Sequence, residues 1–332
     1  MTCARELGRQ EPPQRSELSM NATAPIFAGL ALLLAGPVPA LLGRAAWPYR
    51  TPRAALVLWQ SVALAAVLSA FGSGLAIASL LLVPGPNGRP TTSPTREIAA
   101  LGLPLWLIYV VVFALTLLVG ARLIWAVIRV AVHTRRRRAR HRMLVDLLDQ
   151  GSADQHRAAD IRVLAAAEPI AYCLPGLRRR VVLSQGTFTN LTESELTAIV
   201  SHERSHLRAR HDLVLEAFTA AHEAFPRVVR SKSALDSVKL LIELLADDTA
   251  VKATGPTPLA RALVACSNST APQGALAVGG PTTLIRIQRL AGPLGDPRIA
   301  SVAYLAAAAI LVVPTLAVAI PWLVELSRLF RA

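Results

Sequence analysis

The chain has 332 residues, of which 53% are hydrophobic and 17% charged, and its formal net charge is +14. This composition excludes a disordered chain, and three cysteines are too few for a disulfide-stabilised secreted domain. A charged fraction below the roughly 25% of soluble domains indicates a membrane protein. The positive charge admits either a nucleic-acid partner or arginines that orient membrane-spanning helices.

Four segments carry no charged residue and are long enough to cross a membrane. Their lengths are 20, 30, 24 and 26 residues, and a helix needs about 20 apolar residues to span the hydrocarbon core. They are residues 24–43, 54–83, 98–121 and 299–324. A cleaved signal peptide is the alternative for the first segment, but no small-residue cleavage site ends it. We therefore predict four transmembrane helices, with an N-terminal tail at 1–23 and a short C-terminal tail at 325–332. Translation could start at Met1 or at Met20.

Arginines near the ends of these segments predict which side of the membrane each loop occupies. Eight arginines and no acidic residue lie in 122–142, against three arginines in 44–53 and two in 84–97. Because cytoplasmic flanks are enriched in Lys and Arg, we predict that the third helix ends in the cytoplasm. Residues 24–133 then hold the first three helices and their basic flank, and 134–298 form a cytoplasmic domain.

The cytoplasmic domain is predicted to mix helix and strand. A short helix at 143–150 continues the third transmembrane helix, and β-branched apolar runs predict the strands that follow. These strands are 161–164, 170–174 and 180–184, the last two forming a hairpin through a Pro-Gly turn. The strand at 180–184 is either an edge that binds substrate peptide by β-addition or an ordinary edge strand.

A capped helix after the hairpin carries the main chemical motif. Thr192 and Glu195 form a capping box, and the pattern H-E-x-x-H occupies residues 202–206 of the same helix. Histidines four residues apart lie on one helix face and can bind one metal ion. Glu203 stands beside that ion, where it can take a proton from a metal-bound water. The alternative is a pair of surface histidines, but a capped helix directly after a hairpin favours the metal site.

Two residues close to the motif fail as the third protein ligand that a catalytic zinc site requires. Asp212 would need a glycine turn where Ala209 stands. His211 is predicted to lie about 180° around the helix from His202 and to face away from the metal.

A downstream helix at 233–252 provides a better third ligand. It contains Glu243 and, one turn later on the same face, Asp247. Asp247 can accept the outer N–H of a zinc-bound histidine.

Two stretches carry a resemblance to a known family. Residues 171–184 (AYCLPGLRRRVVLS) and 191–212 (LTESELTAIVSHERSHLRARHD) look like the BlaR/MecR family of integral-membrane zinc peptidases. The chain is similar, more distantly, to HtpX/Ste-type membrane peptidases. The resemblance implies an α+β zincin-like (gluzincin) domain between the third and fourth transmembrane helices. It also implies one Zn²⁺ per chain, bound by His202, His206 and Glu243, with Glu203 as general base and Asp247 behind the ligands.

The resemblance has one departure and leaves one role open. The β-lactam sensors of that family continue after the fourth helix into a penicillin-binding domain, so we do not expect covalent β-lactam sensing by this sequence. Tyr172, His222 and Arg261 are candidates for the donor that stabilises the oxyanion, and the sequence does not choose among them.

The sequence therefore predicts a multi-pass zinc endopeptidase of the cell membrane with a cytoplasmic peptidase domain. Its partners would be the lipid bilayer and a protein or peptide substrate, such as the transcriptional repressor that the resemblance suggests. Direct nucleic-acid binding is not expected, because residues 143–298 hold 17 basic and 16 acidic residues. The alternative function is a non-catalytic signalling scaffold with a structural or vestigial metal site. The oligomeric state is not predicted.

Overall fold

The computed structural model describes residues 14–84, 90–91, 93–149, 160–176, 179–226, 231–267, 276–277, 282–292 and 295–331. The first thirteen residues of the predicted N-terminal tail, Met1 among them, lie outside this part of the chain. The chain begins with α1 (Gln14–Ala35), α2 (Pro37–Arg44), α3 (Trp47–Arg50), α4 (Pro52–Ser79), β1 (Val83–Pro84), β2 (Pro90–Thr91), α5 (Pro94–Leu101) and α6 (Leu103–Leu148).

Strands and helices then mix along the rest of the chain. The elements are β3 (Ile161–Leu164), β4 (Ala171–Leu174), β5 (Arg180–Ser184), α7 (Gln185–Asn190), α8 (Glu193–Ala209), α9 (His211–Ala224), α10 (Ser231–Thr254), α11 (Pro256–Ala265), β6 (Leu276–Ala277), α12 (Thr283–Leu290), α13 (Pro297–Pro314) and α14 (Ile320–Arg331). A π-helical turn at Thr315–Ala319 joins the last two helices, directly after Pro314.

Four helices are long and apolar enough to cross a membrane, as the sequence predicts. They cover Ala22–Arg44, Pro52–Ser79, Leu103–Leu148 and Pro297–Val324. Many of their large apolar side chains are exposed, which is the pattern expected of surfaces that face lipid.

Two helices start more than two residues away from the start of their uncharged segment. Residues 14–23, assigned to a tail on hydropathy, lie in the first turns of α1, because polar residues can extend a helix beyond its apolar part. The third helix begins at Leu103 rather than at residue 98, because Gly102 has a φ of 78° and separates α5 from α6.

The chain divides into two compact units. The first comprises Ser61–Gly120 with the described residues up to Pro37 and from Ala308 onward. In it, the Ser73 hydroxyl of α4 donates to the Ala24 carbonyl at 3.0 Å. Gly74 approaches Thr116 so closely that a β-carbon would overlap the threonine side chain. Small residues allow this close helix packing in membranes.

The second unit, Val38–Gln60 and Ala121–Ala307, contains a four-stranded sheet in the order β3-β5-β4-β6. β4 and β5 pair antiparallel, so the predicted hairpin is present, and β5 pairs parallel with β3. The short β6 pairs with Tyr172 and Cys173 of β4.

The prediction that 180–184 is an edge strand is wrong. β5 lies inside the sheet and is hydrogen-bonded on both sides, so its edges cannot accept a substrate peptide. The sequence favoured an edge because nothing in the hairpin indicates a second partner for 180–184. That partner is β3, which precedes the hairpin in the chain and pairs in parallel with β5. Arg180 on β5 is itself buried and donates two 2.7 Å hydrogen bonds to Asp146 of α6.

Alternation along the strands divides the core into two faces. Cys173 and Leu183 pack in the cluster that includes α8 and α11. Tyr172 and Val182 point to the opposite face, against Val145 of α6. The sheet therefore lies between α8 and the C-terminal part of α6.

Candidate metal centre

Helix α8 presents both histidines of the motif on one buried face. Its start is set by the predicted capping box, in which the Thr192 hydroxyl accepts from the Glu195 N–H and the Glu195 carboxylate accepts from the Thr192 N–H. His202 and His206 follow one turn apart, and both are buried. Their Nε2 atoms lie 3.2 Å apart and point toward each other's ring.

Helix α10 packs against α8 and brings Glu243 to the two histidines. Its Oε2 lies 3.4 Å from Nε2 of His202, and its Oε1 lies 3.6 Å from Nε2 of His206. Ligand atoms bound to a tetrahedral zinc at roughly 2.0–2.2 Å are about 3.3–3.6 Å apart. The spacing of the three groups therefore fits a shared metal ion. Two imidazoles and one carboxylate also match the ligand types of zinc sites that keep an open position.

Asp247 and an arginine that the sequence did not reveal stand behind these groups. Oδ1 of Asp247 lies 3.0 Å from Nδ1 of His202, on the side of the ring away from Nε2. Arg286 of α12 donates to both oxygens of Asp247 and lies 3.1 Å from Glu243. No motif marks Arg286, and its sequence signal is weak: it is an arginine between two isoleucines in a short amphipathic helix.

His211 lies outside the three-residue metal group, but the predicted reason, a position on the far side of α8, is wrong. Arg210 has a φ of 54°, which ends α8 and starts α9 in a new direction. His211 therefore turns back, and its Nδ1 lies 3.0 Å from Nδ1 of His206. Asp212 pairs with Arg138 of α6 at 3.1 Å and is not part of the three-residue metal group. Rotation by a fixed angle per residue does not hold across a residue in the left-handed region.

Glu203 is a buried carboxylate beside the metal group. Neither of its oxygens has a hydrogen-bond partner in the described part of the chain. Burial raises the pKa of Glu203 from 4.5 to about 7, and the negative charge of Glu243 acts in the same direction. A carboxyl that titrates near neutrality can both accept and return a proton at that pH.

The other titratable groups leave the metal site ready to bind a cation. Burial lowers the pKa of His206 to about 3 and so keeps that ring neutral. Burial acts on His202 in the same direction, but hydrogen bonds to Asp247 and Glu243 outweigh it and raise its pKa to about 9. Burial opposes ionisation of Glu243, yet the two histidines and Arg286 lower its pKa to about 2. A metal ion would therefore release the proton of His202.

The three candidates for the oxyanion donor lie at three different places in the structure. The Tyr172 hydroxyl lies on the other face of the sheet, 2.9 Å from Nε2 of His141. Nδ1 of His222 lies 2.9 Å from the Ser231 hydroxyl. Arg261 is exposed on α11. None of them contacts the metal group, and the role stays unassigned.

Four candidate membrane spans and a group of two buried histidines and one partly buried glutamate that could hold a metal ion indicate the class, a membrane-associated protein with a candidate metal site. Residues 30–224 match the family model of the BlaR1 peptidase M56, and the chain belongs to that family. This confirms the resemblance to the BlaR/MecR peptidases, and M56 membership implies a metallopeptidase. No curated protein and no solved structure matches the chain. The match includes α8 and its histidines but ends before Glu243, Asp247 and Arg286.

Proposed function

We propose that this chain is a zinc-dependent endopeptidase of the cell membrane. His202, His206 and Glu243 would bind one zinc ion, and Glu203 would be the general base. The observation that carries the proposal is the convergence of three ligand side chains, whose facing nitrogen and oxygen atoms are 3.2–3.6 Å apart, beside that buried carboxylate. Family membership supports a peptidase activity.

The residues of the site divide the chemistry of peptide hydrolysis among them. A bound zinc ion would polarise the scissile carbonyl and acidify the attacking water. Glu203 takes the proton of that water on a carboxylate oxygen and returns it to the leaving amine. Asp247 holds a proton on Nδ1 of His202, which leaves the lone pair of Nε2 for the metal. A non-catalytic scaffold would have no use for an unpaired buried carboxylate at Glu203, since such a group costs stability.

We further propose that the peptidase domain, residues 134–298, is cytoplasmic and lies between the third and fourth transmembrane helices. The eight arginines in 122–142 support this orientation. The substrate would then be a cytoplasmic protein, and the family resemblance suggests a transcriptional repressor.

The test combines metal content with proteolysis. The full chain and Glu203→Gln would be purified in detergent, equilibrated with zinc and freed of excess metal. Zinc per chain would be measured by elemental analysis, and cleavage of fluorescently labelled casein would be followed with and without a chelator. Because Glu203 is not a ligand, we expect one zinc per chain in both proteins and cleavage only by the unmodified chain.

Two results would contradict the proposal. A protein that retains no zinc at micromolar free metal would rule out the metal site. Equal casein cleavage by both proteins would remove the catalytic role of Glu203. If neither protein cleaves casein although both bind zinc, the signalling scaffold becomes the better description.

A further inference from the structure

Arg286 is one of the largest fully buried side chains of the protein, with 1% of its surface exposed. Burying a guanidinium is unfavourable unless charged partners offset the loss of water. Leu284, two residues earlier on α12, is 65% exposed. The helix thus turns Arg286 inward and Leu284 outward, which is opposite to the usual preference for these residue types. Such an inversion requires a specific reason.

The partners of the guanidinium provide that reason. Nε and Nη2 donate to the two oxygens of Asp247 at 2.8 and 2.5 Å, and Nη1 lies 3.1 Å from Oε2 of Glu243. One arginine therefore joins both carboxylates of α10 at the site, Glu243 and Asp247. Its Nη2 also lies 3.5 Å from Nδ1 of His202. Since that ring nitrogen donates its proton to Asp247, the last contact is a packing contact between two donors.

We propose that Arg286 is a positioning residue that sets the metal affinity of the site. It holds the Asp247 carboxylate in the plane where this group accepts from His202 and thereby directs Nε2 toward the metal. It also restrains Glu243 and offsets the charge of two neighbouring carboxylates, of which Asp247 is fully buried. The inference rests on the metal site proposed above and adds a residue from outside the span matched by the family.

A neighbouring ion pair provides a matched control. Arg289, one turn later on α12, donates to both oxygens of Asp248 at 2.6 and 3.1 Å. It also donates to the Tyr49 carbonyl at 2.5 Å. The pair joins the same two helices and is also bidentate, but it uses Nη1 and Nη2 and its side chains are 18% and 38% exposed. Among the described residues, neither member contacts the metal group. Arg289→Met therefore measures the cost of losing such a pair without disturbing the metal ligands.

The experiment measures metal binding rather than activity. Zinc affinity of the full chain in detergent would be determined by competition with a chromogenic chelator for Arg286→Met, Arg286→Lys and Arg289→Met. The visible spectrum of bound Co²⁺ would report the coordination geometry. We expect Arg286→Met to weaken zinc binding by about 10- to 100-fold and to alter the Co²⁺ spectrum. Lysine should restore part of the affinity, because it keeps the charge but not the bidentate geometry. Arg289→Met should change zinc affinity by less than about threefold.

A second variant tests whether Arg286 acts through Asp247. If it does, Arg286→Met should lower the affinity much less in an Asp247→Asn background than in the unmodified protein. Full additivity of the two losses, or equal losses for Arg286→Met and Arg289→Met, would overturn the positioning role. Should Arg286→Met fail to fold, an unchanged affinity and spectrum in Arg286→Lys would overturn it as well. Absence of zinc from the unmodified chain would refute the proposed metal site and this inference together, whereas normal zinc binding that ignores Arg286 refutes this inference alone.

Discussion

Burial of the Glu203 carboxylate lowers the stability of the metal-free protein, and replacement by glutamine should recover that stability. The folded-state pKa is about 7, whereas the ordinary value is 4.5. The unfolded chain therefore loses this proton first as the pH rises. The free energy of unfolding therefore falls as the pH rises from about 4.5 to about 7. Below this window the contribution of Glu203 is fully present, and above it the free energy does not fall further for this reason. Glutamine does not titrate, so Glu203→Gln removes this loss.

The magnitude follows from the size of the pKa difference. A shift from 4.5 to about 7 corresponds to about 3 kcal/mol at 1.36 kcal/mol per unit. Nearly all of this applies at pH 8, and less than about 1 kcal/mol applies at pH 5. The buried amide has its own cost, but that cost is independent of pH and cancels when the two pH values are compared. For a domain of this size, the Tm gain of Glu203→Gln should be about 5–10 °C larger at pH 8 than at pH 5.

The assay is thermal unfolding in detergent with excess chelator, at pH 5 and pH 8, for the unmodified chain and Glu203→Gln. Glu193→Gln is the control, because Glu193 lies exposed in the first turn of the same helix. Its Tm difference should be nearly the same at both pH values. If Glu203→Gln gives the same Tm difference at pH 5 and pH 8, the carboxyl is not held neutral by burial. The reasoning that makes it a base near neutrality would then be refuted.

Two further predictions concern the segment that follows the motif. Arg210 has a φ of 54°, a conformation that glycine adopts more easily than other residues. Arg210→Gly should therefore raise the free energy of unfolding by about 1 kcal/mol in chemical denaturation, and Arg210→Val should lower it. A lower free energy of unfolding for Arg210→Gly would contradict the strained turn. Arg138→Met should destabilise the protein by about 3 kcal/mol, because it removes the partner of the buried Asp212 carboxylate and of the partly buried Glu216 carboxylate. Adding Asp212→Asn and Glu216→Gln should recover much of the Tm, and no recovery would assign the loss to packing of the arginine stem.

Local patterns in the sequence were enough to predict the helices and strands that carry the site. Four uncharged segments predicted the four apolar helices, and a capping box predicted the start of α8. β-branched runs predicted three of the four strands of the sheet in the second unit, including the antiparallel hairpin, but not β6. Runs of apolar residues, helix capping and the four-residue spacing of the two histidines all involve residues close together in the chain. They can therefore be recognised from the sequence alone.

The surroundings of the site depended on contacts between residues far apart in sequence. The central position of β5 follows from its parallel pairing with β3, and the sequence of neither strand identifies the other as its partner. The return of His211 to His206 depends on one left-handed residue, Arg210, which is not a residue type that marks such turns. Arg286 on α12 contacts Asp247 on α10, which lies 39 residues earlier in the chain.

The sequence by itself thus determined which residues could bind a metal, because H-E-x-x-H places its histidines on one helix face wherever that helix lies. Only the tertiary structure decided what holds those residues in place. The packing of α8, α10 and α12 brings Glu243 to the histidines and buries Arg286 behind them. A buried charge is stable only where its partners surround it, and such partners come from different parts of the chain.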